Sequence, residues 1–230
     1  MRRAPARPPR PIVTALTLAL LAVACSDDPQ DAVGGQLPSD WSTEVVDDDR
    51  EGDFVFSHRD DAALWHMGDD PDDVSDATEG TPWAGFWIPQ LADATSDRDN
   101  VRALAVVNDD EGVVSWQVNV GATSDDATSD PDELAAAWGD HFRSQELDVE
   151  VETTAQWNER TIAQVEFRVP DGVFDGEERY VRQWFVLDEA NQRLWSFVCD
   201  GPADAAASAE VCRTALDGFR PSDHPAGVDT

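Results

Sequence analysis

Val113-Val114-Ser115-Trp116-Gln117-Val118-Asn119-Val120-Gly121-Ala122 is the stretch on which the fold is read. Val114, Trp116, Val118 and Val120 alternate with Ser115, Gln117 and Asn119. A period of two sends successive side chains to opposite faces, so this is a strand with one face on a core and the other in polar surroundings. Upstream, Val101 to Val107 is almost continuously apolar with Arg102 near its start, and Asn108-Asp109-Asp110-Glu111-Gly112 supplies a turn. Strand, turn and strand predict an antiparallel hairpin.

Working toward the C-terminus, Thr123 to Asp130 is polar and leads into a helix signal. Asp130 can cap, Pro131 suits the first helical position, and Asp132 and Glu133 favour the positive end of the dipole. Leu134, Trp138 and Phe142 recur every four residues, marking one apolar face to about Gln145. A short strand over Val149 to Thr153 and a second over Thr161 to Val169 follow, broken near Asn158-Glu159. The second turns Ala163, Val165, Phe167 and Val169 inward and Gln164, Glu166 and Arg168 outward. After a loop opened by Asp171-Gly172, Tyr180 to Leu187 and Leu194 to Cys199 carry large apolar groups on both faces, as centrally placed strands do. Asn191 in the link between them predicts a hairpin. A last helix is expected from about Ala203 to Phe219, stopped by Pro221.

The stretch from Trp41 to Leu91 reads less clearly. Short apolar patches (Phe54-Val55-Phe56, Leu64-Trp65, Trp83 to Ile88) alternate with acidic loops such as Asp69 to Asp76, which predicts short strands joined by long loops. The whole order gives an α+β fold, a mainly antiparallel sheet with helices packed on it.

The N-terminus sets the compartment. Arg2, Arg3, Arg7 and Arg10 precede an uncharged run from Ile12 to Ala24 that ends in small residues, the pattern of an export signal. The run is shorter than the roughly 20 residues of a bilayer span. Leu20-Leu21-Ala22-Val23-Ala24-Cys25 resembles the lipobox of bacterial lipoproteins, in which the Cys after the cleavage site carries a diacylglycerol. That resemblance implies that Cys25 is the lipidated first residue. It also implies a membrane partner held through that lipid and a place on the outer face of the bacterial cytoplasmic membrane. The family favours Leu where Ala22 stands here, and Ala22-Val23-Ala24 also suits an ordinary signal peptidase, which would give a secreted protein. The expected organisation is a signal peptide over 1–24, a lipidated, flexible acidic tether over 25–40, a single α+β domain over 41–221 and a disordered tail over 222–230.

All 16 basic residues are arginine, against 48 acids, and the formal net charge is −32. A surface of that sign repels nucleic acid and anionic headgroups, so neither is an expected partner. With Cys25 acylated, Cys199 and Cys212 remain, in a compartment where thiols oxidise. A disulfide between them would staple helix to sheet and contribute about 3 kcal/mol. A redox pair or a metal site are the alternatives, although the spacing is not C-x-x-C and no histidine lies near in sequence.

Val101 to Pro221 also resembles the LpqN-type lipoproteins of actinobacteria, whose fold is related to the PsbP extrinsic subunit of photosystem II. The features that carry this are the strand pair around Trp116, the helix Asp132 to Gln145, the hairpin Tyr180 to Cys199 and the closing Leu216-Asp217-Gly218-Phe219. The resemblance implies a PsbP-like α/β/α sandwich.

Catalytic signatures are missing: the chain has no G-x-S-x-G, Walker loop, H-E-x-x-H or G-x-G-x-x-G. His58, His66, His141 and His224 are scattered and suggest no zinc set, and no cofactor or metal is expected. Acidic runs such as Asp69-Asp70-Pro71-Asp72-Asp73 lack the EF-hand spacing. Of the nine tryptophans, Trp116, Trp138, Trp184 and Trp195 fall on faces read as buried. Trp83, Phe86 and Trp87 are the candidate ligand-contact aromatics. The reading is a membrane-anchored envelope lipoprotein, a non-enzymatic binding or structural module for an envelope protein or small ligand. Its alternative is an extracytoplasmic hydrolase using a carboxylate pair, with or without calcium.

Overall fold

Antiparallel pairing organises the molecule, seen in a computed structural model that describes residues 37–48, 53–79, 101–109, 112–122, 128–170, 178–188, 192–203 and 206–221. The hairpin read from Val113 to Ala122 is present as β4 (Val101–Asp109) and β5 (Gly112–Ala122). A seven-stranded sheet runs β3 (Ala63–His66), β4, β5, β9 (Arg193–Pro202), β8 (Arg179–Asp188), β7 (Arg160–Val169), β6 (Asp148–Trp157). Two meanders, β3-β4-β5 and β9-β8-β7-β6, thus meet at an antiparallel β5–β9 seam in which Trp116 stands opposite Cys199. A second sheet orders β1 (Trp41–Val46), β2 (Phe54–Arg59) and β10 (Arg220–Pro221).

The large sheet has two faces of different character. Its inner face, carrying Trp116, Trp184, Trp195 and Phe197, packs on Phe54 and Phe56 of the small sheet and on Cys212 and Leu216 of α3 (Ala206–Asp217). The outer face is covered at one end by α1 (Asp72–Ala77), through Val74 on Trp65 and Leu104, and at the other by α2 (Pro131–Ser144). Helices therefore lie on both faces of an α+β antiparallel sheet, as the sequence predicts. α2 begins where the capping signal places it: the Asp130 side chain accepts from the backbone N–H groups of Asp132 and Glu133. Trp138 of that helix stacks on Phe185 at 4.6 Å between ring centroids.

Cys199 and Cys212 form a disulfide, tying β9 to α3. Close approach of this helix depends on two glycines. A Cβ on Gly201 would lie 2.5 Å from Ser208 Cβ, and one on Gly218 would lie 2.4 Å from Ser57 Cβ. Trp116 and Trp157 complete the fastening, their indole N–H groups donating to Ser57 O at 2.9 Å and Leu216 O at 2.8 Å.

Three boundaries differ from the sequence reading. The acidic run at Asp69 to Asp76, expected as a loop, contains α1, because the fully buried Val74 anchors it and Asp72 and Asp73 sit in its first turn. β6 extends to Trp157 rather than ending at Thr153. As an edge strand it needs no apolar alternation over its polar length, and Asn158 and Glu159, both with positive φ (46° and 63°), make the hairpin turn. α3 stops at Asp217. Phe219 is buried beyond it, and Pro221 lies in β10 at a sheet edge, where a missing N–H is tolerated.

Candidate binding corner on the inner face of the large sheet

One corner of the inner face, over β7 and β8, carries half-buried polar side chains in place of packed aromatics. Register fixes the arrangement: Glu166 stands opposite Arg182 and Arg168 opposite Tyr180. The Tyr180 hydroxyl donates to Glu166 Oε2 at 2.7 Å, while Gln164 Nε2 donates to Glu166 Oε1. Both guanidiniums lie over the tyrosine ring, Arg168 at 5.4 Å and Arg182 at 4.6 Å from its centroid. Arg168 is neutralised by Glu150 (2.5 Å) and Glu178 (3.2 Å). Burial, with the hydrogen bond to Glu166 added, pushes the Tyr180 hydroxyl well above its ordinary pKa, so it stays a donor. Tyr180 therefore donates to one Glu166 oxygen and Gln164 to the other, and Glu166 is the carboxylate directly across from Arg182.

The same strand shows the opposite arrangement on the outer face. Arg179 is completely buried there. Its Nη1 donates to Val113 O at 2.6 Å, and its Nε and Nη2 lie 3.3 and 3.2 Å from Asp200 Oδ2. Ser115 donates to the other Asp200 oxygen. This is a buried ion pair at the seam of β5, β9 and β8.

A third charged cluster joins the two sheets. His66 Nε2 of β3 lies 2.8 Å from Glu44 Oε1 of β1, and His66 Nδ1 lies 3.4 Å from Asp69 Oδ2. The Glu44 hydrogen bond is the main influence holding the imidazole pKa above its usual value; burial opposes it, and the charges of Glu44 and Asp69 add to it. For Glu44 burial is the largest single influence and raises the pKa. The hydrogen bond and charge of His66, with His58 adding, outweigh it and leave the carboxyl below its usual range. A shallow cleft of about 120 Å³ also opens at the start of α2, lined by Pro131, Leu134, Arg160, Thr161, Phe185 and Leu187.

Of the residues singled out in the sequence, Cys199 and Cys212 are brought together, while Cys25, Trp83, Phe86 and Trp87 lie outside the described residues. Trp116, Trp184 and Trp195 are buried on the inner face, and Trp138 is partly buried under α2. His141 is exposed on α2, edge-on to Trp138. Among the described residues no three His, Cys, Asp or Glu side chains gather to hold a metal ion. Sequence reading passed over Arg182, although it had a signal: an arginine in the middle of a strand that carries large apolar groups on both faces.

No protein-family model matches the chain, and no curated protein matches it. Among solved structures, cyanobacterial PsbP from Synechocystis sp. PCC 6803 is similar over 82% of this chain and 96% of its own, at 10% identity and a TM-score of 0.48. LpqN of Mycobacterium tuberculosis, described as involved in cell envelope biogenesis, is similar over 52% of this chain and 72% of its own, at 13% identity and a TM-score of 0.39.

Proposed function

We propose that the chain is a membrane-anchored envelope lipoprotein, exported by residues 1–24 and held by a lipid on Cys25. A flexible tether over 25–40 then carries a non-enzymatic binding domain over 41–221, followed by a disordered tail. The anchor rests on the run Leu20 to Cys25. The binding role rests on the Glu166, Arg168, Tyr180 and Arg182 corner, where a sheet face that elsewhere buries aromatics turns to partly exposed charged groups around a buried tyrosine. Two or more acyl chains hold a protein firmly to a bilayer, so the lipid alone accounts for retention.

Two measurements test the reading. Cys25→Ser should move the protein from the membrane to the soluble fraction; unchanged membrane retention would overturn the anchor. Crosslinking in native envelopes, followed by identification of the adduct, should place crosslinks on β7 and β8 of this chain. Adducts confined to α2 would overturn the assignment of the binding face.

A further inference from the structure

A buried indole N–H is costly to leave without an acceptor, and three tryptophans of this protein follow that rule. Trp65 donates to Asp69 O at 3.0 Å, and Trp116 and Trp157 donate to the backbone carbonyls of Ser57 and Leu216. Around Arg182 that rule fails. Arg182 Nη1, Trp184 Nε1 and Trp195 Nε1 are all buried, and none has an acceptor among the described residues. The three share one patch. Arg182 and Trp184 are two residues apart on the inner face of β8, about 7 Å apart at their roots. Trp195 is the diagonal neighbour of Trp184 on β9, since Trp184 pairs with Phe197 and Val186 with Trp195. Trp184 is 3% exposed and Trp195 1%.

Leaving a buried donor unpaired costs about 1–3 kcal/mol, and more for a charged one. The cost is unexpected here for a second reason: a chain with 48 acids has no shortage of counterions. Glu166 stands opposite Arg182 and accepts from Tyr180 and Gln164, yet Arg182 Nη1 makes no hydrogen bond to it. All three orphaned groups are donors, one is cationic, and Trp184 and Trp195 belong with Val186 and Phe197 to the apolar core of the inner face. We infer that Arg182 and Trp184 bind an oxyanion, a carboxylate or phosphate group, that accepts from the guanidinium and the indole together. Charge-assisted hydrogen bonds of this kind are the stronger ones, and a carboxylate or phosphate offers acceptor oxygens to both groups at once. The overall charge of −32 disfavours adventitious anions, so saturable uptake would mark a built site. This names the ligand class for the binding domain proposed above and rests on that reading.

The test uses the full chain labelled with ¹⁵N-tryptophan, with indole resonances assigned through Trp184→Phe and Trp195→Phe. Inorganic phosphate and decanoate are titrated separately, with ionic strength held constant by NaCl. The Trp184 indole N–H should move saturably while those of Trp116 and Trp157 stay fixed, and Arg182→Gln should weaken the apparent affinity by roughly tenfold or more. A response to phosphate alone assigns a free anion, and a response to decanoate alone assigns the head of an amphiphile; either supports the site. Failure of Trp184 to move with both probes overturns it, as does an unchanged affinity in Arg182→Gln. Should Arg182→Gln not fold, movement of Trp184 against the fixed Trp157 in the unmodified chain still decides. A silent Trp184 alongside envelope crosslinks on β7 and β8 would remove the oxyanion and leave the binding domain standing.

Discussion

Arg179 and Arg182 lie three residues apart on β8 and face opposite sides of the same sheet, and the protein treats them differently. Arg179 is sealed on the outer face with Asp200, Ser115 and the Val113 carbonyl around it. Arg182, on the inner face, rests on a tyrosine ring and keeps a buried N–H without an acceptor. The same strand and the same acid-rich composition supply both, so the difference lies in what each position is for. A structural cation is given its counterion from within the chain. The donor left open at the corner is the one assigned above to a partner from outside.

The largest effect should come from breaking the paired side. Arg179→Ala leaves Asp200 without its guanidinium at the β5–β9 seam and should cost about 3–5 kcal/mol in urea unfolding, the usual consequence of halving a buried pair. Gly201→Ala attacks the fit of α3 on the strand next to Arg182. With its Cβ 2.5 Å from that of Ser208, a loss of about 1–3 kcal/mol is expected from overpacking, read as a lowered midpoint with the slope unchanged.

The clip between the sheets supplies a pH-dependent contrast. The folded pKa of His66 lies above the reference value of 6.5, so its contribution is complete below that value and fades as pH rises through the raised one. Glu44 lies below its reference value of 4.5, so its contribution is present above that value and fades as pH falls through the lowered one. The stability difference between the native chain and His66→Gln should therefore be greatest from about pH 4.5 to 6.5 and shrink toward alkaline pH. A difference that grew with pH would contradict the Glu44–His66 contact as the source.

Arg182→Gln should have the smallest effect on stability, no more than about 1 kcal/mol, because a modest cation–π contact is lost while an orphaned charged donor is removed. A loss as large as that of Arg179→Ala would place Arg182 among the structural residues and erase the contrast between the two faces.

Strict alternation made β5 and β7 legible in the sequence, and the Asp130-Pro131 signal marked α2 to within a residue. Where apolar patterning was absent, reading failed for a physical reason. β6 is polar along most of its length because an edge strand can be, and α1 hides in an acidic run because one valine suffices to seat six residues. The Cys199–Cys212 disulfide followed from counting cysteines in a chain expected to be exported. The binding corner did not follow from anything local. Glu166 and Arg168 are alternate positions of one strand, Tyr180 and Arg182 belong to another, and only the β7–β8 register brings them together. That Arg182 Nη1 lacks an acceptor while Arg179 is paired with Asp200 is a property of packing, invisible to composition.

Carboxyl footprinting of the native chain in intact envelopes against the purified protein tests the central claim most directly. Glu150, Glu166 and Glu178, which surround the Arg168 and Arg182 corner, should be labelled less in envelopes than in isolation. Asp132 and Asp140 on α2 should be labelled equally in both. Equal labelling at the corner, or protection confined to α2, would contradict the assignment of the open corner of the inner face as the surface through which this protein acts.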